Sequence, residues 1–423
     1  MAEAKARQKT RLSSLLGAVD GSRDYLVGLL SRMVAVPTIN PPGQNYGEFC
    51  ELMGDELSAV GVSDIQPVTV PKERLTAQLP QYAEHERTNL IAHFRQGDYP
   101  TLHLNCHIDV VPPTSGWSRD PFNAEIEGDK LYGRGSADMK GIGAAMVTAV
   151  RALISLPEKP RVNLALSFTA DEETGGELGA GFLAERGMIL GDFAIVEGLD
   201  GDYLTVANKG VIWAGLGFRG KPAHASIPHR GKNAFLAGMD CARRLKSLFG
   251  KLRAERTTYP TQEARQTYTT INIGGVAEGG SKVNTVPDHF SFTVDVRTIP
   301  EMAKEKVLDT FSKAINGAEK ANPGVKGRVE IIQEAEAVLG DEEGRWLPLL
   351  DRAYRLATGR KPKHCLAPFY TDMRHIVGGA GVPALGLGCE VGGVHGDDEW
   401  VSISGLVDIA RVVAVVAELM AEG

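Results

Sequence analysis

Apolar and polar positions follow two different periods along this chain. From about Thr10 to Val34, the apolar residues Leu12, Leu15, Leu16, Val19, Leu26, Leu29, Leu30 and Met33 recur at helical spacing, with a break near Gly21-Ser22. The run Val36-Pro-Thr-Ile-Asn-Pro-Pro-Gly43 then ends the helix, because its prolines remove backbone donors and fix φ. The pattern next predicts a helix over 46–60, strands over 64–70, 89–94 and 101–108, and a helix over 139–156 closed by Pro157. Strand and helix alternate to about residue 200, as expected of a sheet covered by helices.

From about Gly210 the pattern changes. Strands are expected over 211–218, 268–273, 289–297 and 329–332, with helices over 233–248 and 303–321, which suits a small α+β unit built on one sheet. After about Glu334 a helix (346–357), a strand (383–388) and a closing helix (404–420) follow. The predicted class is α/β: a discontinuous domain of residues 1–209 and 335–423 with a mixed, largely parallel sheet covered by helices, interrupted by an inserted α+β domain at 210–334.

Composition narrows the function classes. A chain of 423 residues with 43% hydrophobic content can bury a large core. Its net charge of −7 arises from 46 basic and 53 acidic residues with no basic cluster among aromatics, so nucleic acid is not an expected partner. No uncharged apolar run approaches the roughly 20 residues that span a bilayer. The start, Met1-Ala-Glu-Ala-Lys-Ala-Arg-Gln-Lys, leads into no signal-type apolar core, so a cytoplasmic location is expected. The five cysteines are widely spaced without a Cys-x-x-Cys pair, which fits reduced thiols. Cys106 beside His107 raises a catalytic thiol, but strand alternation turns it away from the face that His107 and Asp109 are expected to share.

The candidate chemistry lies where apolar strands end. Leu164-Ala-Leu-Ser-Phe-Thr-Ala-Asp-Glu-Glu-Thr-Gly-Gly176 delivers Glu172 and Glu173 from a buried strand into a turn. Adjacent carboxylates repel unless a cation or a shared proton relieves them; one can bind metal while the other acts on water, or the pair can be a solvated loop. In His107-x-Asp109 the carboxylate can fix the imidazole tautomer while the other ring nitrogen binds metal, or the two can simply satisfy each other at a strand end. Asp138, in Gly133-Arg-Gly-Ser-Ala-Asp138-Met-Lys-Gly141, sits in a glycine-punctuated turn and can also cap the following helix. His395 occupies another glycine-rich loop, Gly392-Gly-Val-His-Gly-Asp-Asp-Glu-Trp400.

These motifs in series, with Ala223-His224-Ala-Ser, Asn284-Thr-Val-Pro-Asp288, Asp295-Val-Arg297, Thr371-Asp-Met-Arg374 and His395-x-x-x-Glu399, resemble the M20 family of metallopeptidases and deacylases. The likeness covers almost the whole chain, including Pro37-Thr-Ile-Asn-Pro-Pro-Gly43. It implies two divalent ions, Zn²⁺ with Mn²⁺ or Co²⁺ as alternatives. One would be held by His107, Asp138 and a third acid, the other by Asp138, Glu173 and His395. Glu172 would be the general base, acting on a water between the ions, and Asp109 would orient His107. Where the family usually has Glu-Pro, this chain has Glu197-Gly-Leu-Asp200; Glu197 is the expected third acid and Asp200 the substitute. The resemblance further implies a homodimer through the inserted lid, with His224 stabilising the oxyanion and Arg297 and Asn284 binding a substrate carboxylate. Arg297 can instead pair with Asp295.

The expected activity is hydrolysis of a C–N bond in a small molecule, such as the amide of an N-acyl amino acid or a dipeptide-like compound. A second departure, Ala367-Pro-Phe-Tyr-Thr371 in place of a glycine-rich turn, puts Phe369 and Tyr370 near the expected substrate site. This motivates an alternative, hydrolysis of an amine or amidine on an aromatic or heterocyclic substrate. A catalytically inactive binding protein is the reading from another class, and its usual mark, loss of a ligand or base, is not seen.

Overall fold

The computed structural model describes residues 2–421, with side chains from Thr10 onward. The chain forms two compact units: one of residues up to Val206, Gly340–His364 and those from Thr371, the other of Ala207–Leu339 with Cys365–Tyr370.

In the first unit, strands of the large sheet run in the order Asp64–Thr69, Thr88–Phe94, Asn163–Thr169, Thr101–His107, Phe193–Glu197, Ala384–Leu387 and Tyr203–Asn208. The middle four are mutually parallel and the flanking pairs antiparallel, so the sheet is mixed. The middle strands are buried along almost their whole length, and the polar His103 and Asn105 inside Thr101–His107 are satisfied by hydrogen bonds to Ser167 on the neighbouring strand. Helices Gly141–Ser155 and Ile403–Met420 are apolar around nearly their whole circumference, and they pack against each other inside the core. Helices Ala2–Asp20 and Arg23–Ala35 flank the break at Gly21-Ser22, and both pack on Gly141–Ser155. A small antiparallel sheet, Val391–Gly392, Trp400–Ser402, Lys130–Tyr132 and Glu125–Glu127, lies in the same unit.

The inserted unit has a four-stranded antiparallel sheet in the order Thr270–Gly279, His289–Thr298, Gly210–Arg219, Lys326–Ala335. Helices Ala234–Leu252 and Lys304–Ala321 pack on it through their own apolar core, which includes Cys241, Leu245, Phe249, Phe311 and Ala314. Among the described residues no helix is long and apolar enough to cross a membrane.

Two local expectations change. The central strand ends at His107 rather than at residue 108, so Asp109 lies beyond the pleat and its side chain is not bound by strand alternation. The helix expected from Met139 starts at Gly141, after an irregular turn, Ser136–Lys140, in which Asp138 and Met139 have non-helical φ and ψ. Helix Lys72–Gln78 and the short strands Glu125–Glu127, Lys130–Tyr132 and Tyr203–Asn208 were not expected from the pattern.

Candidate metal centre

Three adjacent parallel strands end at one edge of the large sheet, where α/β folds place their ligands. They deliver His107 from Thr101–His107, Glu172 and Glu173 from the turn after Asn163–Thr169, and Glu197 from Phe193–Glu197. His107 Nε2 lies 3.5 Å from Glu197 Oε2, and one ligand atom each of His107, Glu172 and Glu197 falls within 4.8 Å of the others. Asp200, the substitute for Glu197, is exposed and belongs to neither such group.

The small sheet supplies the rest. Pairing of Tyr132 with Trp400 sets the loop Gly133–Asp138 beside the loop Gly393–Glu399. Asp138 Oδ1 is 3.0 Å from His107 Nε2, and its Oδ2 is 3.2 Å from His395 Nε2. His395 Nε2 is also 3.1 Å from Glu173 Oε2. Asp138 therefore stands between two donor sets, His107 with Glu197 and His395 with Glu173. His395 reaches inward from an exposed loop at φ 58°, whereas His107 is buried.

Asp109 contacts His107 as expected, but chiefly through its backbone rather than its carboxylate. The His107 Nδ1–H donates to the Asp109 backbone carbonyl at 3.0 Å, while the nearest carboxylate oxygen is 3.6 Å away. The carboxylate instead accepts the backbone N–H groups of Glu172 (Oδ1, 3.1 Å) and Glu173 (Oδ2, 3.1 Å). One residue thus fixes the imidazole and the turn carrying both glutamates. Cys106 is buried, with its thiol pushed up to about 12 by desolvation, and Gly143 packs against its sulfur. Such a thiol is not a nucleophile at neutral pH.

The electrostatics of the cluster fit a site for cations. Burial, then the neighbouring Glu197 charge, pushes Glu172 well above the usual carboxylate range. Burial and Asp138 raise Glu173 to about 7, and burial raises Glu197 to about 7 against the opposing hydrogen bond from His107. Burial also acts on Asp138, yet hydrogen bonds from His107 and His395 hold it well below its ordinary value. Hydrogen bonds to Asp138 and Glu173 lift His395 to about 10. Three carboxylates and two imidazoles meeting at 3.0–3.5 Å, with the Glu172 carboxylate beside them, demand positive charge among them. Mixed nitrogen and oxygen donors shared through one carboxylate suit a pair of divalent ions.

In the inserted unit, His224 and Asn284 lie on adjoining exposed loops, joined by the Ala225 N–H donating to the Asn284 carbonyl at 2.9 Å. The Ser226 N–H donates to His224 Nδ1 at 3.2 Å, which places the ring proton on Nε2 and leaves a donor there. Arg297 is engaged with Asp295 by two hydrogen bonds, at 2.9 and 3.0 Å, and its guanidinium lies 5.6 Å from the Tyr370 ring centroid. The ion-pair alternative therefore describes its surroundings.

Three groups escaped the sequence analysis as contributors. Asn40 and Arg87, far apart in sequence, meet at the Asp171–Glu173 turn, and Arg134 pairs with Glu399 beneath Asp138. The available signal was weak: a polar side chain inside Pro37–Gly43, and an Arg and a Glu inside motifs noted for other residues.

Fold and site together define a metal-dependent hydrolase with a two-metal site suited to cleaving a C–N bond in a small substrate. Residues 103–422 match the model of peptidase family M20/M25/M40, and the chain belongs to that family. It is 30% identical over 335 residues to a succinyl-diaminopimelate desuccinylase of Gluconobacter oxydans, covering 77% of this chain and 82% of the relative. It is 27% identical over 350 residues to an uncharacterized metallohydrolase of Methanocaldococcus jannaschii, covering 77% and 83%. Among solved structures, the di-peptidase Dug1p of Saccharomyces cerevisiae superposes with a TM-score of 0.77 at 18% identity, over 97% of this chain and 99% of that one, a likeness of fold.

Proposed function

We propose that this protein hydrolyses the amide of an N-acyl amino acid or a small dipeptide-like compound, with Glu172 as general base. The observation that carries the reading is the placement of Glu172. Its carboxylate shares one ligand-sized group with His107 and Glu197, while its backbone is anchored to Asp109. Two divalent ions, Zn²⁺ in the first instance and Mn²⁺ or Co²⁺ as alternatives, would be held by His107, Asp138 and Glu197 and by Asp138, Glu173 and His395. When bound, they supply polarisation of the substrate carbonyl and a lowered pKa for water.

The chain's own residues then move the proton. Glu172, desolvated and raised in pKa, accepts a proton from the attacking water and returns it to the leaving nitrogen. His224, with Nε2–H available, is the proposed donor to the developing oxyanion. Asn284, beside it, and Arg297 are assigned to the substrate's carboxylate, Arg297 through donors that Asp295 does not take. Phe235, Leu236 and Met239 expose 43, 55 and 51% of their surface on helix Ala234–Leu252. Among the described residues no strand pairs with the outer edge of Thr270–Gly279, and together these features support a homodimer formed through the inserted unit.

The test is metal analysis of the purified protein, coupled to assays with N-acyl amino acids, dipeptides and aromatic amines before and after chelation. About two metal ions per chain and chelator-sensitive release of an amino acid are expected. Ammonia from an aromatic amine would select the alternative chemistry, and failure to bind metal on reconstitution would remove the catalytic reading. Light scattering of the same sample reads the assembly, where a monomer would overturn the dimer.

A further inference from the structure

The motif Pro37–Gly43 has no part in the chemistry above, yet it is wound into the metal centre. Asn40 N–H donates to the Val110 carbonyl at 2.9 Å, Val110 N–H donates to Thr38 at 3.0 Å, and Thr38 Oγ1 donates to the Ile108 carbonyl at 2.5 Å. This pairing seats Asn40, 1% exposed, between two buried acids. Its Nδ2 donates to Asp109 Oδ2 at 2.9 Å, to Asp171 Oδ1 at 3.1 Å and to Thr174 Oγ1 at 3.1 Å. Asp171 precedes the base and occupies a left-handed conformation at φ 58°.

Two like charges packed this way need a compensating cation, and the chain provides Arg87, with no exposed surface. Its Nε donates to Asp171 Oδ2 at 2.7 Å and its Nη1 to the His85 carbonyl at 2.7 Å, while the Tyr46 hydroxyl donates to Asp171 Oδ1 at 2.9 Å. Gly43, at φ +93°, wraps so closely that a Cβ there would stand 2.1 Å from Arg87 Nη1. The loop is thus shaped around the guanidinium.

We propose that Arg87 is a positioning residue for the reaction: through Asp171, Asn40 and Asp109 it fixes the turn that aims Glu172 and Glu173. The links are continuous. Arg87 holds Asp171, Asn40 ties Asp171 to Asp109, and Asp109 accepts the amides of both glutamates while its carbonyl holds His107. A small displacement of a proton-transfer group costs turnover more than binding, because the reacting geometry is met only in the transition state. The inference rests on Glu172 being the base.

The experiment compares the metal-loaded wild type with Arg87→Ala, Arg87→Lys and Tyr46→Phe on a substrate that the wild type hydrolyses. For Arg87→Ala, kcat is expected to fall about 30- to 300-fold with KM within about 3-fold and metal content unchanged at saturating metal. Guanidinium ion at millimolar concentration, but not equal sodium chloride, should restore about tenfold of that loss. Amide hydrogen exchange in the peptide carrying residues 170–176 should quicken in the same variant, a readout independent of turnover. Arg87→Lys and Tyr46→Phe should lower kcat by smaller factors, and they decide the matter if Arg87→Ala does not fold. Wild-type kcat and exchange in these variants, or losses that guanidinium does not relieve and that simply track melting temperature, would overturn the proposal. Full activity of Glu172→Gln would instead overturn the base assignment, and the exchange result would stand apart from it.

Discussion

Arg134 Nη1 donates to Glu399 Oε2 at 2.5 Å, and both side chains are about 1% exposed. The pair joins the two loops that meet at the metal centre. Glu399 Oε1 also accepts the backbone N–H groups of Gly135, Ala137 and Asp138 at 2.9–3.2 Å, and Arg134 Nη2 donates to the Gly396 carbonyl at 2.8 Å. The Asp138 turn and the His395 loop are therefore held to one buried carboxylate and its partner.

Breaking that pair is expected to cost stability asymmetrically. Arg134→Met leaves Glu399 with three backbone donors, and a loss of about 3 kcal/mol is expected for a broken buried pair. Glu399→Ala removes the guanidinium's charge partner and leaves three amides without their acceptor, so it should cost more, and adding Arg134→Met to it should recover only part of the loss. Urea unfolding of the metal-free single and double variants measures this. Full recovery in the double variant would show that the backbone amides carry no share.

Glu172 and Glu173 are neighbours with different duties, and isosteric substitution separates them. Glu172→Gln keeps the volume and the hydrogen bond from its amide to Asp109 but removes the proton acceptor. Turnover should fall by about 10²–10⁴-fold with metal content retained. Glu173→Gln removes the acid facing His395 and should reduce metal content as well. Elemental analysis and kcat on the same samples check both; near-normal turnover of Glu172→Gln would mean that another group takes the proton.

Much of the architecture was legible because buried strands and helices carry their period in the sequence. The runs ending at Glu172 and Glu197 are mostly apolar until they reach the site, so the change to polar residues marks both the strand end and the chemistry, whereas the strand ending at His107 also carries His103 and Asn105 within it. The short strands Glu125–Glu127 and Lys130–Tyr132 gave little signal, since the first is exposed throughout and three residues hold no period. Asp109 holds His107 through its backbone carbonyl, a contact that strand alternation does not specify because the paired strand ends at His107. The Arg87–Asp171 and Arg134–Glu399 pairs span 84 and 265 residues, and only the folded chain brings them together.

The strand carrying His107 rests on helix Gly141–Ser155 at a close approach that a single methyl would spoil. A Cβ on Gly143 would stand 2.5 Å from Cys106 Sγ and 3.3 Å from its Cβ. Gly143→Ala is thus expected to destabilise by about 1–3 kcal/mol despite the better helix propensity of alanine. Cys106→Ala, which removes the sulfur, should relieve most of that when the two are combined. Additive losses in a double-mutant cycle would place the strain elsewhere.

His103, on the same strand but away from the metal centre, should give the protein an acid-sensitive term of its own. It is fully buried, and desolvation lowers it from 6.5 to about 4. Asn105 Nδ2 donates to Ser167 Oγ at 3.0 Å, the Ser167 hydroxyl in turn donates to His103 Nε2 at 2.8 Å, and His103 Nδ1–H donates to the Leu190 carbonyl at 3.0 Å. The network thus holds a neutral ring. Between about pH 6.5 and 4 the unfolded chain binds a proton at this residue and the folded one does not, so folding stability rises with pH across that window and is lost as pH falls through it. A shift of this size corresponds to roughly 3 kcal/mol below pH 4 relative to pH 7. In His103→Gln that slope should vanish, so the stability difference between wild type and variant should shift in the variant's favour by that amount on acidification. Denaturant unfolding of the EDTA-treated proteins at a series of pH values measures the difference, and parallel curves would mean that the folded protein protonates His103 as readily as the unfolded chain does.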